Sequence, residues 1–315
     1  MGNALRRLSI ALVVMSATAS AFGAEPSGTL KKIHDSGEIN IGYRESSLPF
    51  SYLDDQQQPI GYSMDLCKGI VDTIKGELSM PDLKVKLTPV TSATRIPLIA
   101  NGTIDMECGS TVNNPERQKQ VSFSVTTFIV GTKFIAKKAA KLSTLEDLRG
   151  KTVVCTAGTN TMARVHELNQ KHKLGMTIMA GKDHAESMLL VETGRAAAFF
   201  EDDILLAGLA ANARTPAEYA LGTEAYSVDP YAIMIGRNDP DFKRVVDKSL
   251  TDMYRSGKVE ALYAKWFQKP IPPKNINLNF PESPAFRKLV ANPTDSADPA
   301  SYSLLPSTQD AVAKK

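Results

Sequence analysis

Short β-branched runs alternate with helix-like segments along most of this 315-residue chain, and the alternation occurs in two successive copies. The first copy runs from the strand pattern EINIGYR to DMECGS, and the second begins at TLEDLRGKTVVCTAGT. Strands that are separated by helices favour a parallel sheet that is covered by helices. The pattern therefore predicts an α/β fold made of two similar units.

Two extended segments, 128–138 and 227–237, lie at the ends of the second unit. If both cross between the units, one lobe consists of residues 25–132 plus 231–315, and the other consists of residues 135–228. Two crossing strands would form a hinge between the lobes. The cleft between such lobes is the natural position for a ligand.

Two segments are less regular. Thr144 can cap a helix that contains Leu148 and stops at Gly150. From Lys269 the chain is proline-rich and poorly periodic. Beyond about residue 290 we expect a tail that wraps the surface or stays loose.

The N-terminus has the three parts of a secretory signal peptide over residues 1–24. MGNALRR is short and basic, LSIALVVM is apolar, and SATASAFGA is rich in small residues. A transmembrane anchor is the weaker alternative, because the apolar part is far shorter than about 20 residues. We therefore expect export and removal of this segment.

The charge balance argues against a nucleic-acid partner. The formal net charge is +3, and residues 1–24 contain two arginines and no acidic residue, so their removal leaves about +1. A nucleic-acid-binding surface would need a clustered basic patch. The remaining chain has no apolar stretch of membrane-spanning length.

Three cysteines, Cys67, Cys108 and Cys155, remain after cleavage. An odd number leaves at least one free thiol in an oxidising compartment. None has metal-like spacing to a histidine, so neither a metal nor a cofactor is expected. We expect each cysteine to be buried and inert, and the sequence leaves their pairing open.

Polar side chains occur where predicted strands end, which is where open α/β sheets bind ligands. Taken singly, each has a simpler structural explanation: an arginine beside a loop is often solvated, and a hydroxyl at a helix start is often an N-cap. The candidates are Arg44, Ser92, Arg95, Ser110, Thr111, Arg117, Thr159, Thr161, His184 and Asp202.

Taken together, these candidates fit a particular ligand chemistry. A fixed guanidinium binds a carboxylate through two charge-assisted hydrogen bonds. The helix start near Thr159 offers backbone N–H groups to an anion, and Asp202 can bind an ammonium. Three arginines and a histidine with one clear acid predict an amino-acid ligand with two carboxylates.

Three long segments have a distinctive sequence pattern: GYRESSLPFSYLDDQQQPIGYSMDL, TSATRIPLIANGTIDMECGSTVNNPERQKQVSFS and SGKVEALYAKWFQKPIPPKNINLNF. They resemble the periplasmic glutamate/aspartate-binding proteins of bacterial ABC importers, and the resemblance covers roughly residues 28–282. It implies the two-lobed type II periplasmic-binding-protein fold with two hinge strands. It also implies a periplasmic monomer that passes L-glutamate or L-aspartate to a membrane permease.

The resemblance also implies a role for each candidate. Arg117 would bind the ligand α-carboxylate with help from Ser110 and Thr159, and Asp202 would bind the α-ammonium. The side-chain carboxylate would be surrounded by Arg44, Ser92, Arg95 and His184. Departures from the family pattern occur at Val112, Asn160 and Glu201.

Other functions remain open at this stage. A periplasmic dehydratase or lyase could use His184 or Glu201 as an acid or base, although no catalytic triad or metal set is evident. A binding protein for a neutral polar or a basic amino acid could use the same scaffold. A signalling sensor domain would need an attached membrane or kinase segment.

Overall fold

A computed structural model describes residues 26–302 of the protein. The predicted signal peptide therefore lies outside the described residues. The strands within residues 26–302 are β1 (Glu38–Tyr43), β2 (Ser46–Ser47), β3 (Ser51–Leu53), β4 (Pro59–Ile60), β5 (Lys84–Pro89), β6 (Met106–Cys108), β7 (Ser122–Val130), β8 (Thr132–Lys137), β9 (Thr152–Thr156), β10 (Thr177–Gly181), β11 (Ala198–Asp202), β12 (Tyr219–Leu221) and β13 (Asp229–Ile235).

Helices cover the sheets, and the predicted α/β class is confirmed. Within residues 26–302, no helix is long and apolar enough to cross a membrane. The helices are α1 (Gly28–Ser36), α2 (Tyr62–Glu77), α3 (Arg95–Ala100), α4 (Pro115–Gln118), α5 (Asn160–Lys171), α6 (His184–Glu192), α7 (Asp203–Asn212), α8 (Pro240–Arg255), α9 (Lys258–Phe267) and α10 (Pro284–Ala291).

The strands form two five-stranded sheets and one small sheet. The first sheet has the order β5-β1-β6-β13-β7, and the second has the order β10-β9-β11-β8-β12. In each sheet the first three strands in this order pair in parallel, and the last two pairings, β6–β13 and β13–β7 or β11–β8 and β8–β12, are antiparallel. The carboxyl ends of the parallel strands carry most of the candidate residues.

The chain passes between the two five-stranded sheets at two adjacent places. Gly131 alone joins β7 of the first sheet to β8 of the second, and residues 222–228 join β12 back to β13. The two crossings contact each other, since the backbone N–H of Thr132 donates to Oγ of Ser227 at 3.0 Å. That these sheets form movable lobes with the predicted bounds stays a prediction.

Helices cover both faces of the second sheet, so its strands are continuous apolar runs and do not alternate between apolar and polar residues. Phe134, Val153 and Phe200 pack in one apolar cluster, and Val154 and Phe199 pack in another. Every residue from Ala198 to Asp202 is buried. This burial extends to the two acidic residues that end the strand.

The first sheet has an aromatic core that holds the small sheet against it. Phe50, which precedes β3, packs edge-on against Phe128 and Tyr231, each with a ring-centroid distance of 5.1 Å. Phe128 and Phe267 stack at 4.7 Å. This core fixes the loop that follows Arg44 relative to the strands of the first sheet.

One prediction of local structure was wrong, and one helix was not predicted. Thr144 does not cap an α-helix, because only a 3₁₀ turn forms over Glu146–Leu148 and the Thr144 N–H donates to the Asp147 carboxylate at 2.8 Å. The proline-rich region contains α10, which begins with a Ser283 N-cap. The chain then packs on β7, where the Tyr302 hydroxyl lies 2.7 Å from Oγ1 of Thr126.

The prediction that every cysteine is buried was confirmed, and the structure supplies the pairing that the sequence left open. Cys67 of α2 and Cys108 of β6 form a disulfide, and Cys155 is free and buried. The sequence alone could not pair them because 41 residues separate the two partners. The bridge joins α2 to the end of β6, directly before Gly109 and Ser110.

We expect the disulfide to stabilise the fold by closing this long loop. Reducing it, or replacing both Cys67 and Cys108 by alanine, should lower the free energy of unfolding by about 2–4 kcal/mol. Urea denaturation with and without reductant measures the effect, and thiol titration of unreduced, denatured protein should detect Cys155 alone. The double variant is the control, since reductant should not change it. Equal midpoints for oxidised and reduced wild type would contradict this expectation.

Candidate functional site

Arg44 lies where β1 ends and is 1% exposed. Its backbone is held by Ser51, whose Oγ accepts from the Arg44 N–H at 2.8 Å and donates to the Arg44 carbonyl oxygen at 3.2 Å. Its Nη2 lies 3.4 Å from Nε2 of His184, which belongs to the opposite side of the cleft. Arg44 therefore reaches from the first sheet to a helix of the second.

Arg95 begins α3 and is held by residues of β6 and the loop after it. Its Nη1 donates to the carbonyl oxygen of Ser110 at 3.1 Å and to Oγ1 of Thr111. Thr111 donates in turn to Glu107 at 2.6 Å, and Glu107 lies 3.7 Å from Nη1 of Arg95. The Thr111 hydroxyl is thus committed to orienting Arg95.

Arg117 belongs to the short helix α4, where Asn114 caps the backbone. Its Nη1 donates to the Val112 carbonyl oxygen at 2.8 Å, and its Nη2 donates to the Gly158 carbonyl oxygen at 3.3 Å. Gly158 precedes α5 of the second sheet. Arg117, like Arg44, therefore contacts both sides of the cleft.

On the opposite side, the helix starts and strand ends of the second sheet converge. Thr159 caps α5, and its hydroxyl also donates to the Thr156 carbonyl oxygen at 2.7 Å. Thr161 donates to Oε1 of Glu201 at 3.4 Å. Glu201 Oε2 lies 3.2 Å from Nδ1 of His184.

Asp202 ends β11 and is bound to residues of the two strands that follow the crossings, β8 and β13. The Tyr231 hydroxyl donates to Oδ2 of Asp202, and the Thr132 hydroxyl donates to Oδ1 at 3.5 Å. Asp202 is 2% exposed. An acid in this position can bind a cation that enters the cleft.

Several polar atoms around the cleft are buried without a hydrogen-bond partner among the described residues. Most such groups in proteins are paired, so a cluster of unpaired ones indicates a ligand. Two of the unpaired atoms at the cleft are carboxylate oxygens, one of Glu107 and one of Glu201. The other unpaired atoms there can donate a hydrogen bond. The donors are Arg44 Nη1, Arg95 Nε, Ser92 Oγ, Ser110 Oγ and Asn160 Nδ2.

Burial changes the ionisation of the arginines. It lowers the pKa of Arg44 to about 10 and that of Arg117 to about 9, and the positive charge of Arg95 acts in the same direction on both. Both groups stay charged at neutral pH. Poorly solvated guanidinium groups bind a carboxylate more strongly than hydrated ones do.

The acidic groups respond in opposite directions. Burial, with the neighbouring charge of Glu201, raises the pKa of Asp202 well above its ordinary value. Burial also acts to raise the pKa of Glu201, but the charge and hydrogen bonding of His184 lower it overall. Burial lowers the pKa of His184, although Glu201 opposes that shift.

The expectation of one clear acid in the cleft was wrong, because Glu107 and Glu201 are buried there as well as Asp202. The sequence contained a signal for the buried acid Glu107, which lies in the middle of the buried strand Met106–Cys108. An acidic residue in such a strand needs a basic partner. No group of metal-binding side chains occurs within residues 26–302.

Comparisons with known proteins identify the family. Residues 39–269 match the bacterial extracellular solute-binding proteins, family 3. The chain belongs to this family. The solute-binding protein is 50% identical to the L-glutamate/L-aspartate-binding protein of Pseudomonas aeruginosa over 291 residues. These residues make up 92% of this chain and 96% of that relative.

A second relative and a solved structure support the family and the fold. The glutamate/aspartate import solute-binding protein of Salmonella typhimurium is 46% identical over 298 residues, or 93% of this chain and 99% of that protein. An ancestral arginine-binding protein bound to arginine superposes with a TM-score of 0.66 at 26% identity, covering 73% of this chain and 98% of that one. The predicted type II fold is confirmed, and the named relatives are binding proteins, not enzymes.

The raised pKa of Asp202 predicts how the free energy of unfolding of the ligand-free solute-binding protein depends on pH. Its carboxylate ionises near 3.8 when solvated, so its burial costs stability as the pH rises above that value. Asp202→Asn should raise the free energy of unfolding at pH 7 by about 1–3 kcal/mol, and the gain should vanish near pH 3.5. Urea denaturation at both values measures this.

The exposed substitution Asp72→Asn is the matched control and should change little at either pH. A destabilised Asp202→Asn protein at pH 7 would show that the Tyr231 hydrogen bond outweighs burial of the carboxylate.

Proposed function

We propose that this protein captures L-glutamate or L-aspartate between its two five-stranded sheets and delivers it to an ABC importer permease. The observation that carries the proposal is the convergence of three buried arginines, unpaired donors and one ammonium-binding acid on a single cleft. An acidic amino acid supplies one ionic partner for each part of this set.

The ligand α-carboxylate would bind Arg117 and Ser110. Arg117 is already fixed by the Val112 carbonyl oxygen, and the Ser110 hydroxyl has no other partner among the described residues. The start of α5 adds backbone N–H groups beside its cap, Thr159, and the positive end of the helix dipole. Thr161 would act indirectly, by holding Glu201.

The ligand side-chain carboxylate would bind Arg44, Arg95, Ser92 and His184. Arg44 and Arg95 each have one unpaired nitrogen that can donate, and the Ser92 hydroxyl is unpaired too. Thr111 and Glu107 fix the plane of the Arg95 guanidinium. A preorganised donor set of this kind favours a carboxylate over an amide, which cannot accept at both atoms.

The ligand ammonium would bind Asp202. Because burial raises the pKa of this carboxyl, an ammonium at hydrogen-bond distance would restore its ionised form. Tyr231 and Thr132, in the strands that follow the two crossings, donate hydrogen bonds to the Asp202 carboxylate. Amino-group binding is thereby connected to the segments that we propose as the hinge.

Closure would follow from contacts that both sides make with the same ligand. Ligand that is bound first to the arginines of the first sheet would gain Asp202, His184 and the α5 start on closing, so differential binding favours the closed form. The crossings at Gly131 and 222–228 would carry the rotation. The closed protein would dock on the permease as a monomer in the periplasm, after removal of residues 1–24.

Arg44 and Arg117 should separate side-chain recognition from α-carboxylate recognition. Arg44→Met should weaken L-glutamate binding by about 2–5 kcal/mol, because it leaves a buried carboxylate unpaired, and should weaken L-glutamine binding much less. Arg117→Met should weaken both ligands together. Titration calorimetry measures these affinities, with exposed Arg195→Met as the control. Wild type that binds glutamine as tightly as glutamate would contradict the proposed ligand.

Gly208 should control closure without touching the ligand. A Cβ added to this residue of α7 would lie 2.6 Å from Cδ2 and 2.7 Å from the carbonyl oxygen of Leu48, which belongs to the small sheet region. Gly208→Ala should weaken glutamate binding by about 1–3 kcal/mol, the usual cost of overpacking, and reduce the ligand-induced compaction measured by small-angle scattering.

The control is Gly76→Ala, since a Cβ there meets no atom within 4 Å. Unchanged affinity and compaction in Gly208→Ala would mean that α7 and Leu48 do not approach each other in the bound state.

A further inference from the structure

We propose that Glu201 is a positioning residue that makes His184 take up one proton when an acidic ligand binds, so that Nε2 of the imidazolium donates to the ligand side-chain carboxylate. The inference rests on the proposed function and adds to it the protonation state of one subsite. Glu201 lies behind His184, outside the set of residues that would touch the ligand.

Glu201 is fixed from several sides. It is the fourth residue of β11 and is 2% exposed. Its Oε1 accepts from the Asp202 N–H at 3.2 Å and from the Thr161 hydroxyl at 3.4 Å, which leaves Oε2 facing Nδ1 of His184 at 3.2 Å. A carboxylate that is held this way offers one lone pair to the imidazole.

A chain of hydroxyls determines which nitrogen of His184 carries a proton. Ser187 donates its only hydroxyl proton to the Asp183 carbonyl oxygen at 2.9 Å, so it accepts from Oγ1 of Thr156 at 2.9 Å. Thr156 has then used its own proton and must accept from Nδ1 of His184, at 2.9 Å. Nδ1 is therefore a donor to Thr156, and Oε2 of Glu201 lies 3.2 Å from the same nitrogen.

The other ring nitrogen faces the cleft. Nε2 lies 3.4 Å from Nη2 of Arg44. Without ligand, a neutral ring can accept there from the guanidinium. A carboxylate that enters between them can only accept, so Nε2 must gain a proton from solvent to donate to it. The ring then becomes an imidazolium, and its positive charge lies beside the Glu201 carboxylate, whose Oε2 is 3.2 Å from Nδ1.

Charge balance gives an independent reason for this proton. Once the ligand ammonium lies beside Asp202, three carboxylates balance three guanidinium groups, and the ligand itself brings a net charge of −1 into the closed cleft. An uncompensated charge is costly in a buried site. A proton on His184 neutralises it. The balancing groups are Glu107, Glu201, Asp202, Arg44, Arg95 and Arg117.

Other charges around His184 act against protonation or act weakly. Arg44 and Arg95 lie across the cleft and both disfavour an imidazolium. Asp183, at the N-cap of α6, points its carboxylate at the Glu186 N–H. Glu186 is exposed and accepts from the Lys182 N–H at 2.6 Å. Glu201 is therefore the one acid in direct contact with the ring among the described residues.

Removing the Glu201 charge should change ligand preference in a particular direction. In Glu201→Gln, burial and the two arginines should keep His184 neutral, so Nε2 remains an acceptor. An acceptor opposes the carboxylate of L-glutamate but suits the amide N–H₂ of L-glutamine. Glutamate binding should weaken about 10- to 100-fold, the size of one charge-assisted hydrogen bond, while glutamine binding should be unchanged or stronger.

The decisive experiment counts protons. L-glutamate is titrated calorimetrically into wild type and Glu201→Gln at pH 8, in buffers of different ionisation enthalpy, and the slope gives the protons taken up. Wild type should take up about one proton more than the variant. Because the Glu201 charge also raises the pKa of Asp202, the proton exchanged at Asp202 can differ between the two proteins, so the proton on His184 is also observed directly by NMR.

One further measurement and two further variants protect the test from a folding defect. Long-range ¹H–¹⁵N NMR of histidine-labelled protein should show both ring nitrogens of His184 protonated in the wild-type complex and only Nδ1 in the Glu201→Gln complex. Glu201→Met, of similar size, should behave like Glu201→Gln. Glu186→Gln is the control, since it removes a nearby exposed carboxylate from α6, the helix that begins with His184. It should leave the affinity and the proton count at wild-type values.

The outcomes distinguish the two proposals. Wild type that fails to bind L-glutamate or L-aspartate overturns the proposed function. Wild type that binds, but in whose complex Nε2 of His184 carries no proton, overturns the role of Glu201. Equal losses for glutamate and glutamine would also overturn it, because they would indicate a purely structural residue.

Discussion

Three guanidinium groups buried where two sheets meet are the constraint on which the cleft depends. Hydrophobic packing cannot stabilise them, and they need carboxylates and fixed hydrogen-bond acceptors around them. The chain supplies part of this need itself, through Glu107 beside Arg95 and the Val112 carbonyl oxygen beside Arg117. The unpaired donors that remain define the ligand, and a dicarboxylic amino acid fits them.

The fold places these groups by a general property of parallel strands, whose carboxyl ends meet at one edge of a sheet. Arg44 follows β1, and Glu201 and Asp202 end β11 in the other sheet. The aromatic core around Phe50 keeps the Arg44 loop in place, and the disulfide between α2 and β6 ties down the loop with Ser110. Packing remote from the cleft thus determines where its charges lie.

The strand-and-helix rhythm was sufficient to predict the α/β class and to place the candidate residues at strand ends. It could not reveal that Thr111 serves Arg95, or that Glu201 serves His184, because these pairs form through side-chain contacts between separate elements. The Cys67–Cys108 pair and helix α10 were missed for related reasons. A disulfide depends on three-dimensional distance, and α10 lies in a proline-rich segment that masks its short apolar pattern.

The crossing at Gly131 is a single residue, whereas its companion spans residues 222–228. A tether of one residue can twist but cannot lengthen, since consecutive Cα atoms are about 3.8 Å apart. In the proposed closure, the two sheets would rotate about this residue, but they could not translate past one another. Each closure would therefore restore the same registration of the opposing charges.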